Sequence, residues 1–308
     1  MIIIRIQGGL GNQMFQYAMG RALSFLHNKK LYLDTSGLGK PIEGHLERGF
    51  MLDNFNINAL ILSPEKLLSF KKGSFWRKLS GKQKKYIKQL VFEEVPENNS
   101  PIKDAQLIVK HATYLFYPDI KEIKEGDIYL DGYWQSYKYF NSIKDILNKE
   151  FQIKCTLSSQ AQKMKDKIQS CLSISVHIRR TDYISTEYGQ KFYNTISMGY
   201  YNKAIEIFKS KYNKIIIFVF SDEIEWCKAN FISGQEIYYI SNNKNPIEDL
   251  HLMSYCKHNI ISNSTFSWWA AWINSNPDKI VVSPSKWYKN VENDNIDDLL
   301  PKEWIKID

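Results

Sequence analysis

The stretch Leu172-Ser-Ile-Ser-Val-His-Ile-Arg-Arg-Thr-Asp182 decides the fold of this chain. Its apolar residues alternate with four polar ones, Ser173, Ser175, His177 and Arg179. This period of two predicts a β-strand with those four side chains on one face. Imidazole and forked guanidinium groups at the carboxyl end of a strand are suited to holding a diphosphate. The alternative is a structural ion pair between Arg180 and Asp182.

The composition indicates a globular protein. The chain has 308 residues, of which 44% are hydrophobic and 14% aromatic, enough to bury the cores of about two domains. No apolar run approaches the roughly 20 residues that cross a bilayer. The N-terminal segment lacks the pattern of a signal peptide, so we expect a cytoplasmic protein.

The charge and the cysteine content indicate which ligands and cross-links to expect. The net charge of +8 suits anionic ligands such as nucleotide phosphates or a lipid surface, without choosing between them. The chain has no C-x-x-C pair, which argues against a zinc site or a disulfide framework and favours ordinary buried thiols. The four cysteines are Cys155, Cys171, Cys227 and Cys256.

The N-terminal residues have the pattern of a βαβ unit. Residues 2–6 predict a buried strand, Gly8-Gly-Leu-Gly-Asn-Gln13 a loop, and the residues up to about His27 a helix. Residues 31–34 predict the next strand. The helix positions expected to face the core are Phe15, Ala18, Met19, Ala22 and Leu26.

The glycine-rich loop is compatible with more than one role. Asp34 falls where a dinucleotide-binding fold places a ribose-binding acid, but the G-x-G-x-x-G pattern counted from Gly9 ends on Met14. A nicotinamide site is therefore disfavoured. Gly9 and Gly11 let the backbone approach a ligand, with Asn12 adding an amide, or they form a tight turn and nothing more.

Residues 66–88 form a basic amphipathic stretch. They contain nine lysines and arginines and no acidic residue, with apolar residues interleaved. Such a stretch can rest on an anionic membrane surface, but a solvated face whose lysine stems cover apolar surface is the favoured interpretation. A nucleic-acid-binding arm has no motif support elsewhere, so we expect no nucleic-acid partner.

A strand and an aromatic loop are predicted in the middle of the chain. Residues 127–131 predict the strand and Gly132-Tyr-Trp-Gln-Ser-Tyr137 the loop. Tyr133 and Trp134 could stack on a sugar or cap the core. The segment Cys155–Ser159 is the expected junction between two domains, residues 1–155 and 156–308.

The second half repeats a helix–strand rhythm. Asn245-Pro-Ile-Glu248 has the pattern of a helix start, with a cap residue, a proline in the first turn and a glutamate two residues later. Helices are further expected at residues 143–151, 160–170, 199–212 and 294–305, and strands at 215–220, 259–261 and 280–282.

Residues 215–220 are an unbroken apolar run, which is typical of a parallel strand covered on both faces. The run leads to Asp222, and ligands of open α/β sheets bind beyond the carboxyl ends of the strands. A carboxylate there could accept hydrogen bonds from a nucleotide's base or ribose. The alternative is an N-cap for a helix at residues 223–228.

Residues 262–272 predict an anion-binding arrangement, because a strand, a hydroxyl-rich turn and a helix follow one another. Backbone N–H groups and the helix dipole would point at the ligand there. The hydroxyl donors are Ser264, Thr265 and Ser267. The helix must also pack against its own unit, and its aromatic residues are therefore expected in the core: Trp268, Trp269 and Trp272.

Three stretches, in this order, resemble the α-1,2-fucosyltransferase family of inverting glycosyltransferases. They are Gly8-Gly-Leu-Gly-Asn-Gln-Met-Phe-Gln-Tyr17, His177-Ile-Arg-Arg-Thr-Asp182 and Ser262-Asn-Ser-Thr-Phe-Ser-Trp-Trp-Ala-Ala271. Phe220-Ser-Asp-Glu223 and Gly132-Tyr-Trp-Gln135 fit as well. The match runs from residue 1 to about residue 290 and is weak over residues 40–125.

The resemblance implies an α/β protein of the GT-B type, with two Rossmann-like domains facing across a cleft. The N-terminal domain would mainly hold the acceptor and the C-terminal domain the donor, GDP-β-L-fucose. The activity implied is transfer of L-fucose, with inversion and without a metal, to the 2-hydroxyl of a galactose-terminated oligosaccharide or glycolipid. An O-antigen or capsule intermediate is one such acceptor.

The same resemblance implies roles for individual residues. Arg179, helped by His177, would contact the donor's phosphates, Asp222 the guanosine, and Asn12 would face the reacting centre. Further donor-binding residues implied by the motifs are Gly9, Gly11, Arg180, Asp182, Asn263, Ser264 and Thr265. The acceptor residues would be Tyr133, Trp134 and Gln135.

Metal-dependent transferases usually hold their ion with a D-x-D motif, which this chain lacks; Asn293-Asp294-Asn295 is the nearest sequence. Arg179 and the helix start near Ser264 would therefore meet the charge on the leaving phosphate. No carboxylate stands out as a general base. The alternatives are another GDP-fucose transferase, such as an α-1,6 or protein O-fucosyltransferase, and a non-catalytic protein that binds nucleotides or glycans.

Overall fold

The computed structural model describes residues 1–39, 49–65, 108–111, 115–124, 126–193, 195–231, 233–240, 245–289 and 296–308. The chain divides into two compact units, one mainly of Met1–Lys40 and Glu47–Gln152, the other mainly of Ile153–Asp297 and Pro301–Asp308. The basic stretch 66–88 lies outside the described residues, as does Asn293-Asp294-Asn295.

The first unit contains a parallel sheet. Its strands are β1 (Ile2–Arg5), β2 (Leu31–Asp34), β3 (Leu60–Ile61), β4 (Ile108–His111) and β5 (Ile128–Gly132). Their spatial order is β3-β2-β1-β5-β4, with neighbouring strands parallel. Strands β2 and β3 lie on one side of β1, whereas β5 and β4 lie on its other side. The strand order therefore reverses between β1 and β5. Such a switch point opens a crevice at the carboxyl ends of the strands.

Helix α1 (Leu10–Leu26) packs on this sheet, and α2 (Lys144–Glu150) follows later in the unit. A Cβ atom on Gly20 would lie 2.8 Å from Leu31 Cδ1, so this glycine permits the close approach of α1 to the strands. The predicted inward positions are buried except Leu26, which is 54% exposed because it occupies the last turn of the helix.

The second unit contains a six-stranded parallel sheet. Its strands are β6 (Ser173–Ile178), β7 (Ile216–Ser221), β8 (Glu236–Ile240), β9 (His258–Ile260), β10 (Val281–Pro284) and β11 (Ile305–Ile307). Their order, β11-β10-β9-β6-β7-β8, is that of a doubly wound Rossmann fold. Residues 173–178 thus form the central strand, β6, which is buried along its whole length. The switch point of the sheet lies between β6 and β9.

Seven helices are described in the second unit: α3 (Ser159–Gln169), α4 (Thr181–Ser185), α5 (Glu187–Phe192), α6 (Met198–Lys209), α7 (Ile224–Asn230), α8 (Pro246–Tyr255) and α9 (Thr265–Ile273). The predicted start of α8 is confirmed, because the Asn245 side chain accepts the N–H of Ile247. The expected core positions are also confirmed: the three tryptophans of α9 are buried.

The helix predicted at residues 294–305 is wrong. Within the described residues 296–308 the chain makes turns and ends in β11, which pairs with β10. Pro301 disfavours helical conformation in the residue before it. Ile305, Lys306 and Ile307 have the period of two that suits an edge strand.

The four cysteines differ in environment. Cys227 and Cys256 are buried as expected, whereas Cys155 is exposed and Cys171 only partly buried. Among the described residues, no group of His, Cys, Asp and Glu side chains is arranged to hold a metal ion. Within the same ranges, no helix combines the length and apolar character needed to span a membrane.

Candidate active site

The switch point of the second unit brings together the two motifs predicted to bind an anion. His177, near the end of β6, shares a hydrogen bond between its Nδ1 and the Oγ of Ser262, which follows β9; the two atoms are 2.9 Å apart. The imidazole is only 4% exposed and also lies against the ring of Phe266 in α9. The residue is therefore placed to fix the geometry of the crevice.

His177 is neutral at physiological pH. Burial lowers its pKa to about 3, and the nearby positive charge of Arg179 acts in the same direction. The positive charge at this end of β6 therefore comes from the arginines.

Arg179 and Asp222 form an ion pair across the ends of β6 and β7, with Nη1 3.2 Å from Oδ2. The same carboxylate accepts the backbone N–H groups of Arg180 (3.1 Å) and Thr181 (3.2 Å). Asp222 thus ties the turn after β6 to the end of β7. The alternative role as an N-cap is wrong, since α7 begins at Ile224 and Glu223 occupies the cap position.

Arg180 has two partners that the sequence analysis did not assign. Its Nε donates to Oε2 of Glu223 at 2.9 Å, and its guanidinium carbon lies 3.6 Å from the centroid of the Trp226 ring. In the sequence, two arginines follow one predicted strand and two acids follow the next. That pattern could have predicted ion pairs between the ends of these strands. Asp182 lies in α4, but its side chain is outside the described residues.

The turn between β9 and α9 is held from both sides. The side-chain Nδ2 of Asn263 donates to the backbone carbonyl of Trp287 at 2.9 Å, and the backbone carbonyl of Asn263 accepts the hydroxyl of Tyr183 at 2.8 Å. Asn263 therefore joins the segments that follow β6, β9 and β10. Ser264 is the N-cap residue of α9 and makes no side-chain cap bond, and Thr265 is the first helical residue.

In the first unit, the predicted glycine-rich loop is shorter than expected. Helix α1 begins at Leu10, so Gly11 and Asn12 lie in its first turn and Gly9 is the cap residue. Gln13 ties this region down: its Nε2 donates to the carbonyls of Gly8 and Gly49, both at 2.9 Å. The segment therefore combines a tight turn with a helix start that is held by side-chain hydrogen bonds.

The aromatic loop after β5 meets this helix start. Nε2 of Gln135 donates to Oδ1 of Asn12 at 2.9 Å. Tyr133 is partly exposed, but Trp134 is fully buried and packs edge-on against Tyr139. The sugar-stacking interpretation of Trp134 is therefore wrong, and the core interpretation holds for that residue.

Asp34 is also committed to the fold. Its carboxylate accepts the hydroxyl of Tyr129 at 2.6 Å and the N–H of Ser36 at 2.9 Å, and the side chain is buried. A ribose-binding role for this acid does not fit these contacts.

Comparisons with known proteins agree with the motifs. The family model of Glycosyl transferase family 11 matches residues 84–308. An alpha-1,2-colitosyltransferase of Escherichia coli is 32% identical, with 100% of this chain and 99% of that protein covered. The O-antigen biosynthesis glycosyltransferase WbnK of Escherichia coli is 34% identical, with 98% of this chain and 99% of that protein covered.

A galactoside alpha-(1,2)-fucosyltransferase 1 of Oryctolagus cuniculus is 22% identical, with 88% of this chain and 63% of that protein covered. Among solved structures, a mutant of Arabidopsis thaliana FUT1 in complex with GDP has a TM-score of 0.49 and 12% identity, covering 91% of this chain and 69% of that one. That likeness is too low to carry an argument. The family model and the two relatives from Escherichia coli suffice: the chain belongs to glycosyl transferase family 11.

Proposed function

We propose that this protein transfers L-fucose from GDP-β-L-fucose to the 2-hydroxyl of a terminal galactoside, with inversion at the anomeric carbon. Family membership and the alpha-1,2 names of two relatives support the linkage. The observation that carries the proposal is the position of Arg179, which follows the last residue of β6 at the switch point of a doubly wound sheet. Diphosphates bind at such points.

The proposal assigns the donor to the second unit and the acceptor mainly to the first, in a GT-B arrangement. Each unit has a parallel sheet with its own switch point, which supports the assignment. The acceptor class suggested by the name of the WbnK relative is an O-antigen intermediate. Such a substrate would place the reaction on the cytoplasmic side of the membrane.

In the proposed mechanism, the acceptor hydroxyl attacks the anomeric carbon and releases its proton to water, while the bond from that carbon to the β-phosphate oxygen breaks. Negative charge therefore grows on the departing GDP. Arg179, oriented by Asp222, and the N–H groups at the start of α9 would stabilise this charge. Ser264 and Thr265 would add hydroxyl donors. His177 is neutral, so it would not stabilise this charge directly. Its role would be to hold the turn at Ser262 in place. Metal independence is part of the proposal, since these fixed groups supply the positive potential.

A thermal-shift panel tests the donor. GDP and GDP-fucose should raise the melting temperature, with and without EDTA, whereas UDP-sugars and NAD should not. A divalent ion that proved indispensable for turnover would contradict the metal-independent mechanism. Linkage analysis of the product then separates 1,2-transfer from 1,6-transfer or transfer to protein, and absence of turnover with bound GDP-fucose would favour a non-catalytic binding protein.

A colitose donor is a second candidate, favoured by the 32% identity to the colitosyltransferase over the whole chain. Colitose lacks the 3-hydroxyl of fucose. Competition between the two nucleotide sugars in one reaction, followed by product analysis, measures which donor has the higher kcat/KM.

A further inference from the structure

Two side-chain amides meet at the switch point of the first unit. Asn12 lies in the first turn of α1, the helix that follows β1, and Gln135 lies three residues after β5. Their hydrogen bond, Nε2 of Gln135 to Oδ1 of Asn12, spans 2.9 Å. β1 and β5 are the strands between which the sheet order reverses, so the pair sits where ligands of this fold class bind.

The backbone before Gln135 is strained. Trp134 has φ of +54°, a conformation that L residues with bulky side chains rarely adopt. Its indole is fully buried against Tyr139, and its carbonyl accepts the N–H of Ser136 at 2.9 Å. Strain of this kind persists only where surrounding packing enforces it, and it concentrates at functional sites. Here it aims the side chain of Gln135 at Asn12.

The direction of the hydrogen bond decides what Asn12 presents. An amide that accepts through Oδ1 keeps its Nδ2 as a donor at the other end. That nitrogen lies over Gly8: a Cβ atom added to Gly8 would be 2.9 Å from it. The glycine leaves the space that the amide occupies, and Asn12 is partly exposed.

We propose that Gln135 is a positioning residue which orients the amide of Asn12 so that Nδ2 donates a hydrogen bond to a sugar oxygen of the substrate. This proposal rests on the proposed function, because it concerns the acceptor side of the same reaction. It replaces the expectation that Gln135 contacts the acceptor itself: the side chain is buried and its Nε2 is engaged by Asn12.

Two isosteric substitutions in the 308-residue chain test the proposal. Gln135→Glu puts an oxygen in place of the nitrogen that donates to Asn12. Asn12 can then keep a hydrogen bond to residue 135 only by turning its amide, which takes Nδ2 away from the substrate. Asn12→Asp keeps an acceptor for Gln135 but removes the Nδ2 donor. Asn141→Asp, the same amide-to-carboxylate change at an exposed position of the same unit, is the matched control.

Kinetics with GDP-fucose and a β-galactoside, together with melting temperatures, provide the measurements. For Gln135→Glu we expect kcat to fall on the order of 10²-fold, the size of effect that small misplacements of reacting groups produce, with KM for GDP-fucose unchanged and a lower melting temperature. For Asn12→Asp we expect a similar fall in kcat and an unchanged melting temperature. The control should match the unmodified protein in both measurements.

Three outcomes would overturn the proposal. Gln135→Glu with a lower melting temperature but normal kcat would make the residue merely structural. Loss of stability in Asn12→Asp but not in Gln135→Glu would mean that the hydrogen bond runs the other way. A fall in kcat for Gln135→Glu alone would deny Asn12 its role. If the unmodified protein does not use GDP-fucose, the proposed function fails separately, and the melting temperatures still decide the direction of the bond.

Discussion

The guanidinium of Arg180 lies over the indole of Trp226, with its central carbon 3.6 Å from the ring centroid, while its Nε donates to Glu223. This stacking arrangement suits arginine and not lysine, whose ammonium has neither a plane nor a fork. Arg180 therefore fixes the turn after β6 against α7. Because Arg179 is the preceding residue, its backbone is fixed by the same contacts.

The stack predicts energetic coupling between Arg180 and Trp226. In a double-mutant cycle of Arg180→Met and Trp226→Leu, the coupling in the free energy of unfolding should be about 0.5–1 kcal/mol, as for exposed cation–π pairs. Urea unfolding of the four proteins measures it. Additive effects of the two substitutions would show that the contact contributes nothing.

Arg179→Lys should reduce catalysis without unfolding the protein. Because the guanidinium is the proposed partner of the leaving phosphate, we expect kcat to fall by about 10²–10³, the usual effect of losing one preorganised donor. The melting temperature should change little, since the side chain is partly exposed. Lys209→Ala, at an exposed position of α6 in the same unit, is the control. Near-normal transfer by folded Arg179→Lys protein would refute the mechanism.

His177 predicts a defined pH dependence of stability. Its pKa is lowered from 6.5 to about 3 in the folded state, so below pH 6.5 the unfolded chain binds a proton that the folded one does not. Stability should therefore fall as pH falls through this window, by up to about 1.4 kcal/mol per pH unit from this residue. His177→Asn removes the titrating group. The difference in unfolding free energy between the two proteins should shift in favour of His177→Asn from pH 7 to pH 5, and a constant difference would contradict the buried neutral imidazole.

Gly8 and Gly9 form a matched pair for a test of stability. Gly8 has φ of +75°, and a Cβ atom there would contact the Asn12 amide at 2.9 Å, whereas a Cβ on Gly9 meets nothing within 4 Å. Gly8→Ala should destabilise the protein by about 1–2 kcal/mol, the cost of left-handed backbone for an L residue. Gly9→Ala should leave the melting temperature nearly unchanged. Equal effects of the two substitutions would show that the turn is not held as described.

The sequence was sufficient to place β6, α8 and the buried tryptophans of α9, because strand and helix periods and capping patterns are local. It also placed the motifs at the ends of strands. It did not show that Glu223 and Trp226 hold Arg180, since that contact depends on β6 and β7 being neighbours. Nor did it separate a buried Trp134 from an exposed one, because aromatic residues in a loop suit both environments.

The C-terminal segment shows where local sequence patterns fail to predict structure. Residues 294–305 suggested a helix, but Ile305–Ile307 instead add an edge strand to β10. A three-residue strand gains its stability from a partner far away in the sequence, so a local pattern cannot reveal it. The hydrogen bonds of Asn263 to Tyr183 and Trp287 are likewise tertiary contacts that no spacing announces.

The neutrality of His177 also has a kinetic consequence. Arginine stays protonated far above physiological pH, and the imidazole beside Arg179 carries no charge until the solution is strongly acidic. These two side chains therefore keep the same protonation state over the whole range in which enzymes are normally assayed. An inflection near neutrality in a plot of log kcat against pH would report an ionisation elsewhere in the protein or in its substrates.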